Sequence, residues 1–133
     1  MATVKKFEEL EVWQKARELE NRIFPLTEIG KLSKDFKLRD QINAASGSVM
    51  DNIAEGFGRG SRLEFIQFLT IARGSGSEVQ SQLYRCRDRK YFSIEQFQEL
   101  YNLADEICKM ITGFIGYLNK SEHKGQKFKD RRK

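Results

Sequence analysis

Ser46-Gly-Ser-Val-Met-Asp-Asn-Ile-Ala-Glu-Gly-Phe-Gly-Arg-Gly-Ser-Arg-Leu-Glu-Phe65 reads as a corner between two packed helices. An amphipathic pattern runs into it and another starts inside it. Gly56, Gly58 and Gly60 admit backbone angles that other residues resist. Ser61 followed by Glu64 has capping-box spacing, in which each side chain satisfies a free backbone N–H at a helix start. Asn52 and Glu55 are polar positions in an otherwise apolar helical stretch. They form either a hydrogen-bonded structural pair or a site, and their spacing leaves both open.

Upstream of the corner, Leu38, Ile42, Ala45, Val49, Ile53 and Gly56 make one helical stripe. It predicts a helix from about 34 to 57, with Ser33 as N-cap and Asp35 in the first turn. Ala44 to Ser48 is a block of small residues. Gly47 there costs about 1 kcal/mol against Ala, tolerable where a neighbouring helix must come close. Downstream, Ile66, Leu69, Ala72, Gly76, Val79, Leu83 and Cys86 predict a helix from Ser61 to Arg89. Phe65 and Phe68 form a flanking stripe, which points to burial on a second side against another subunit. Arg73-Gly-Ser-Gly-Ser-Glu78 is either a loop splitting this helix or a second small block, with Gly74, Ser75 and Gly76 packed on the first. The stripe keeps its phase across it, which favours the continuous helix.

At the N-terminal end, Phe7, Leu10, Trp13, Ala16, Leu19 and Ile23 form a further stripe. Pro25 either kinks this helix, which then reaches Ile29, or ends it at Phe24; Gly30 closes it. At the other end, Ser93 and Gln96 form a second capping box. Phe97, Leu100, Ala104, Ile107, Ile111, Phe114 or Ile115, and Leu118 then place a fourth helix at about 94–119. Four amphipathic helices with mostly short connections predict an all-α, antiparallel up-and-down four-helix bundle. Residues 1–118 make one domain, and 119–133 a basic tail of the kind that is commonly disordered.

The 133 residues suit a single domain with its own core, and 39% hydrophobic with 32% charged residues suits a helix-rich one. Apolar runs fall far short of the roughly 20 residues a membrane helix needs. The first residues lack a signal-peptide apolar region, so the expected location is cytoplasmic. The net charge of +5 lies in the tail: residues 1–118 hold 17 Lys+Arg and 17 Asp+Glu. Cys86 and Cys108 lack Cys-x-x-Cys spacing and the one histidine is His123, so zinc is not implied and both cysteines read as small buried hydrophobes.

Three functional readings are open. Arg85, Arg87, Arg89 and Lys90, with Lys127, Lys129, Arg131, Arg132 and Lys133 of the tail, are candidate nucleic-acid contacts, and Tyr91 and Phe92 beside them are candidates for stacking on unpaired bases. The plainer account is that cations suit a helix C-terminus and turn aromatics close a core. The second reading is a protein scaffold without nucleic acid. The third is a nuclease using Glu55 and Glu78, but such enzymes gather more carboxylates than can be placed together here. The glycine run lacks the Gly-Lys-Ser/Thr signature and preceding strand of a phosphate loop. Asn52, Glu55, Arg73, Ser75 and Glu78 are better read as fixing helix register or assembly than as catalytic.

Gln41-Ile42-x-x-Ala45-x-x-Ser48-Val49-x-x-Asn52-Ile53-Ala54-Glu55-Gly56 is followed by Glu64-Phe65-x-x-Phe68-Leu69-x-Ile71-Ala72-x-Gly74-Ser75. With Phe7, Leu10, Val12, Trp13 and Gln14, this pattern resembles the 23S rRNA intervening-sequence protein family, also called four helix bundle proteins. The resemblance spans about residues 7–118. Gly47 stands where a bulkier residue is common, and Pro25 is a departure in the first helix. The resemblance implies an up-down bundle and homo-oligomers, with a pentameric ring as the associated form. Some members are encoded inside insertions in bacterial 23S rRNA genes, and relatives include basic accessory proteins of diversity-generating retroelements. It implies no known activity, cofactor, metal, membrane or small-molecule substrate. The expectation is a non-enzymatic oligomer that binds structured RNA, such as 23S rRNA or a ribonucleoprotein partner.

Overall fold

The computed structural model describes residues 4–120. After a 3-10 turn at Phe7–Glu9 come α1 (Glu11–Thr27), a 3-10 turn at Lys31–Lys34, α2 (Phe36–Gly58), α3 (Arg62–Asp88) and α4 (Ile94–Lys120), with no strand among the described residues. Each helix packs on its sequence neighbours and α4 closes on α1. Cross-helix contacts fix the antiparallel register. Ser48 Oγ lies 2.9 Å from Ser75 Oγ between α2 and α3, and Arg62 Nη1 donates to the Leu118 carbonyl at 3.2 Å between α3 and α4. The bundle thus has two ends. The corner end gathers Gly58–Ser61 and the last turn of α4. The opposite end gathers the α1–α2 connection and the α3–α4 turn.

The predicted stripes on α1, α2 and α4 face one continuous core, and Phe114 rather than Ile115 is the buried alternative on α4. On α3 the stripe starts one residue earlier than predicted. Phe65, not Ile66, is fully buried, because Phe65, Leu69 and Ala72 follow the four-then-three step that holds one helical face. Phe65 packs edge-on against Phe57 and Phe114, with ring centroids at 5.9 and 5.2 Å. It therefore belongs to the chain's own core and is not available to a second subunit. Phe68 is half-buried under the Arg59 guanidinium, 5.1 Å from its ring centroid.

α3 is unbroken through Arg73–Glu78. Pro25 lies inside the last turn of α1, where the carbonyl it leaves without a partner belongs to the exposed residue Asn21. The helix therefore passes Phe24 but stops at Thr27, and Ile29 leaves the stripe at 62% exposure. The N-cap of α2 is Asp35, not Ser33: Asp35 Oδ1 accepts from Leu38 N at 3.4 Å, while Ser33 Oγ donates to the Gly30 carbonyl at 2.6 Å. Ser93 and Gln96 form a reciprocal box at 3.0 Å each way. Ser61 accepts from Glu64 N at 3.3 Å, but the Glu64 carboxylate turns to Arg59 at 3.9 Å, so that box is half made.

The two small-residue blocks meet as predicted, but through Ser48 and Ser75 at 2.9 Å and not through their glycines. Gly56 is held under Phe68, and Gly76 faces Cys108 of α4, not α2; an added Cβ would meet Phe68 Cβ at 2.6 Å and Cys108 Sγ at 2.7 Å respectively. Cβ atoms on Gly47 and Gly74 would meet nothing within 4 Å. Within the Arg73–Glu78 block, Ser75 hydrogen-bonds across the α2–α3 seam.

Candidate nucleic-acid interface

The last turn of α3 ends in a chain reversal that seats the basic cluster. Lys90 takes a left-handed conformation at φ 61°, its N–H donates to the Arg87 carbonyl at 2.9 Å, and Tyr91 N donates to the Cys86 carbonyl at 2.8 Å. This is the Schellman closure, with lysine at the position glycine usually fills. The left-handed conformation costs a residue with a Cβ about 1 kcal/mol. Lys90→Gly is expected to raise stability by about that much and the melting temperature by about 4 °C. Thermal denaturation followed by circular dichroism checks it; a lower melting temperature would refute the strain.

Around that turn the four predicted cations take different roles. Arg85 Nη1 donates to Gln41 Oε1 at 3.1 Å, and Arg89 Nη1 reaches Asp35 Oδ2 at 2.6 Å, both toward α2. Arg87 lies on the other side, over the rings of Tyr84 and Phe97 at 5.0 and 4.8 Å. Lys90 is exposed at the tip. The predicted stackers are engaged elsewhere. Phe92 is 5% exposed within the core, and the Tyr91 hydroxyl donates to Asp35 Oδ2 at 2.9 Å. That hydroxyl, then the Leu38 N–H and the Arg89 guanidinium, holds the Asp35 carboxyl below its ordinary value against the effect of burial, and the same hydrogen bond raises Tyr91.

Sequence reading missed the other half of this end. The Asp35–Arg89 pair brings the start of α2 and the turn before it beside the turn after α3; that turn before α2 supplies Lys31 and Lys34, and the first turn of α2 supplies Lys37 and Arg39. Residues 31–39 and 85–90 together carry eight Lys or Arg and only Asp35 and Asp88 as acids, with Glu28, Asp40 and Glu95 bordering. The neutral body is thus the sum of a cationic end and an acidic remainder. Pairing the connections of an up-down bundle by end would have exposed this. The tail residues Lys127, Lys129, Arg131, Arg132 and Lys133 lie outside the described residues. The last described residue, Lys120, is at the corner end, about 40 Å away along the 27 residues of α4.

The polar residues of the corner motif do not form one cluster. Asn52 Nδ2 donates to the carbonyl and Oγ of Ser48 at 2.8 Å each, and Ser48 meets Ser75, so Asn52 and Ser75 share one seam between α2 and α3. Glu55 pairs with Arg59 at 3.0 Å near the surface, Arg73 reaches Thr112 of α4 at 3.0 Å, and Glu78 lies 3.5 Å from Gln82. Glu55 and Glu78 are roughly 14 Å apart along the helix pair in this register. Burial pushes the Cys86 thiol up to about 12 and raises Cys108 as well, as fits packed side chains. Among the described residues no group of three or more His, Cys, Asp or Glu is placed to hold a metal ion, and no helix is long and apolar enough to cross a membrane.

These features define an all-α, up-and-down four-helix bundle with a polar seam and a charge-segregated end. The chain belongs to the family described as 23S rRNA-intervening sequence protein, which matches residues 8–113. It is similar to a crystal structure from Bacteroides thetaiotaomicron VPI-5482, described as a protein with unknown function from the S23 ribosomal protein family. The TM-score is 0.72 at 28% identity, covering 78% of this chain and 97% of that one. No curated protein matches the chain.

Proposed function

We propose that this protein is a non-enzymatic, cytoplasmic homo-oligomer that binds structured RNA, either 23S rRNA or a related ribonucleoprotein, through the cationic end of its bundle. The observation carrying this reading is the meeting of two basic segments, 31–39 and 85–90, on one end of an otherwise acidic body. Phosphates neutralised by such a surface release counterions, so affinity falls steeply with salt. The family's link to rRNA gene insertions supports the ligand class without supplying it. Assembly, with a pentameric ring as the expected form, is supported by Gly47 and Gly74. Each costs about 1 kcal/mol against Ala, and a Cβ there would meet nothing within 4 Å in its own chain, so a second copy approaching there would offset the cost.

The test is fluorescence anisotropy with a 23S rRNA fragment across a salt series, with light scattering for mass. Wild-type binding is expected to weaken steeply with salt, and Arg85→Gln with Lys90→Gln to lower the slope of log affinity against log salt by about 2. A second reading, an interaction scaffold without nucleic acid, is favoured by the outer side of α3, where Leu63 and Ile71 are 63% and 52% exposed. A ring of the expected mass that ignores RNA at every salt would select it.

A further inference from the structure

Phe36 opens α2 at the cationic end and is 63% exposed. One face of its ring is covered by the Arg39 guanidinium, 4.9 Å from the ring centroid. That guanidinium is held in place: Nη1 donates to the Ser33 carbonyl at 3.2 Å and Nε pairs with Asp40 Oδ1 at 3.0 Å. Lys34 and Lys37, both exposed, bracket the ring in sequence, and Arg89 and Lys90 stand on the neighbouring turn. A large apolar side chain at the start of a helix gains little from burial it does not have. An aromatic ring backed by a fixed cation, with lysines on either side, suits a nucleotide, whose base offers a π-face and whose flanking phosphates offer charge.

Resting on the RNA reading above, we propose that Phe36 is a stacking platform for an unpaired base, with Lys34 and Lys37 taking the phosphates beside it. The RNA recognised is then a single-stranded loop or bulge rather than continuous duplex. A-form duplex offers its phosphates to the same cations but keeps its bases stacked and out of reach of the ring. Tyr91 and Phe92, tied to Asp35 and to the core, do not compete for this role.

The experiment compares a hairpin from a 23S rRNA fragment, with 2-aminopurine in a purine-rich loop, with a blunt duplex of the same stem. Wild-type protein, Phe36→Ala and Phe36→Tyr are each titrated at fixed salt. Wild type is expected to favour the hairpin and to alter the 2-aminopurine fluorescence. Phe36→Ala should lose about tenfold on the hairpin, little on the duplex, and the fluorescence change, while Phe36→Tyr restores all three. Circular dichroism and light scattering confirm that fold and mass are kept. Equal binding of both RNAs by wild type, or an equal loss on both in Phe36→Ala, would overturn the stack and leave the RNA reading standing. Binding of neither RNA by wild type would end both. A changed oligomer mass in Phe36→Ala would assign the ring to self-assembly and overturn the proposal.

Discussion

Phe65→Ala is expected to destabilise the folded chain by about 3–5 kcal/mol, a large share of the roughly 5–15 kcal/mol that holds a domain together. The ring is fully buried, its edges meet Phe57 and Phe114, and it sits where α2, α3 and α4 converge near the corner. Truncation removes the transfer free energy of the ring and leaves a cavity that three helices cannot close without losing their register. Equilibrium urea denaturation measures it, with the midpoint falling and the slope unchanged. The same substitution separates two placements of this residue. An interface phenylalanine would leave the stability of the dilute chain untouched and lower only the mass of the assembly. A core phenylalanine lowers stability at every protein concentration. Phe68→Ala, at a half-buried position under Arg59, is expected to fall well short of the Phe65 effect.

The bundle itself was legible because its signals are local and redundant. The stripes on α1, α2 and α4 repeat over roughly four turns or more, so a single ambiguous position does not move a face. Ser93 and Gln96 sit at the spacing a capping box needs, and both hydrogen bonds form. Errors came where one residue decided. Phe65 and Ile66 are adjacent, and a stripe begun at either reads well until the first four-residue step is checked. Ser33 and Asp35 are both good caps, and the choice fell to Asp35, which also receives Arg89 and Tyr91 from more than 50 residues away. No local pattern contains that contact. The candidate site was half legible for the same reason. Arg85, Arg87, Arg89 and Lys90 fall within one short stretch, while Lys31, Lys34, Phe36, Lys37 and Arg39 join them only through the antiparallel register.

Gly56→Ala is expected to cost about 3 kcal/mol, although a helix interior ordinarily gains about 1 kcal/mol when glycine becomes alanine. The added methyl would lie 2.6 Å from Phe68 Cβ and 3.0 Å from Phe65 Cδ1. Phe68 Cβ is one bond from the backbone, so no rotamer change relieves the contact and α2 and α3 must separate at the corner. Gly47→Ala places the same methyl in open space on the same helix, so the dilute chain is expected to gain about 1 kcal/mol. The pair uses one helix and one added atom, so the difference in sign between the two melting shifts reports what each Cβ meets. It also bears on assembly. If a second copy approaches Gly47, the alanine variant will melt higher when dilute and yet form a smaller species at high concentration by light scattering. If assembly uses another face, the two measurements will move independently, and the glycine at 47 is then a cost that self-association does not explain.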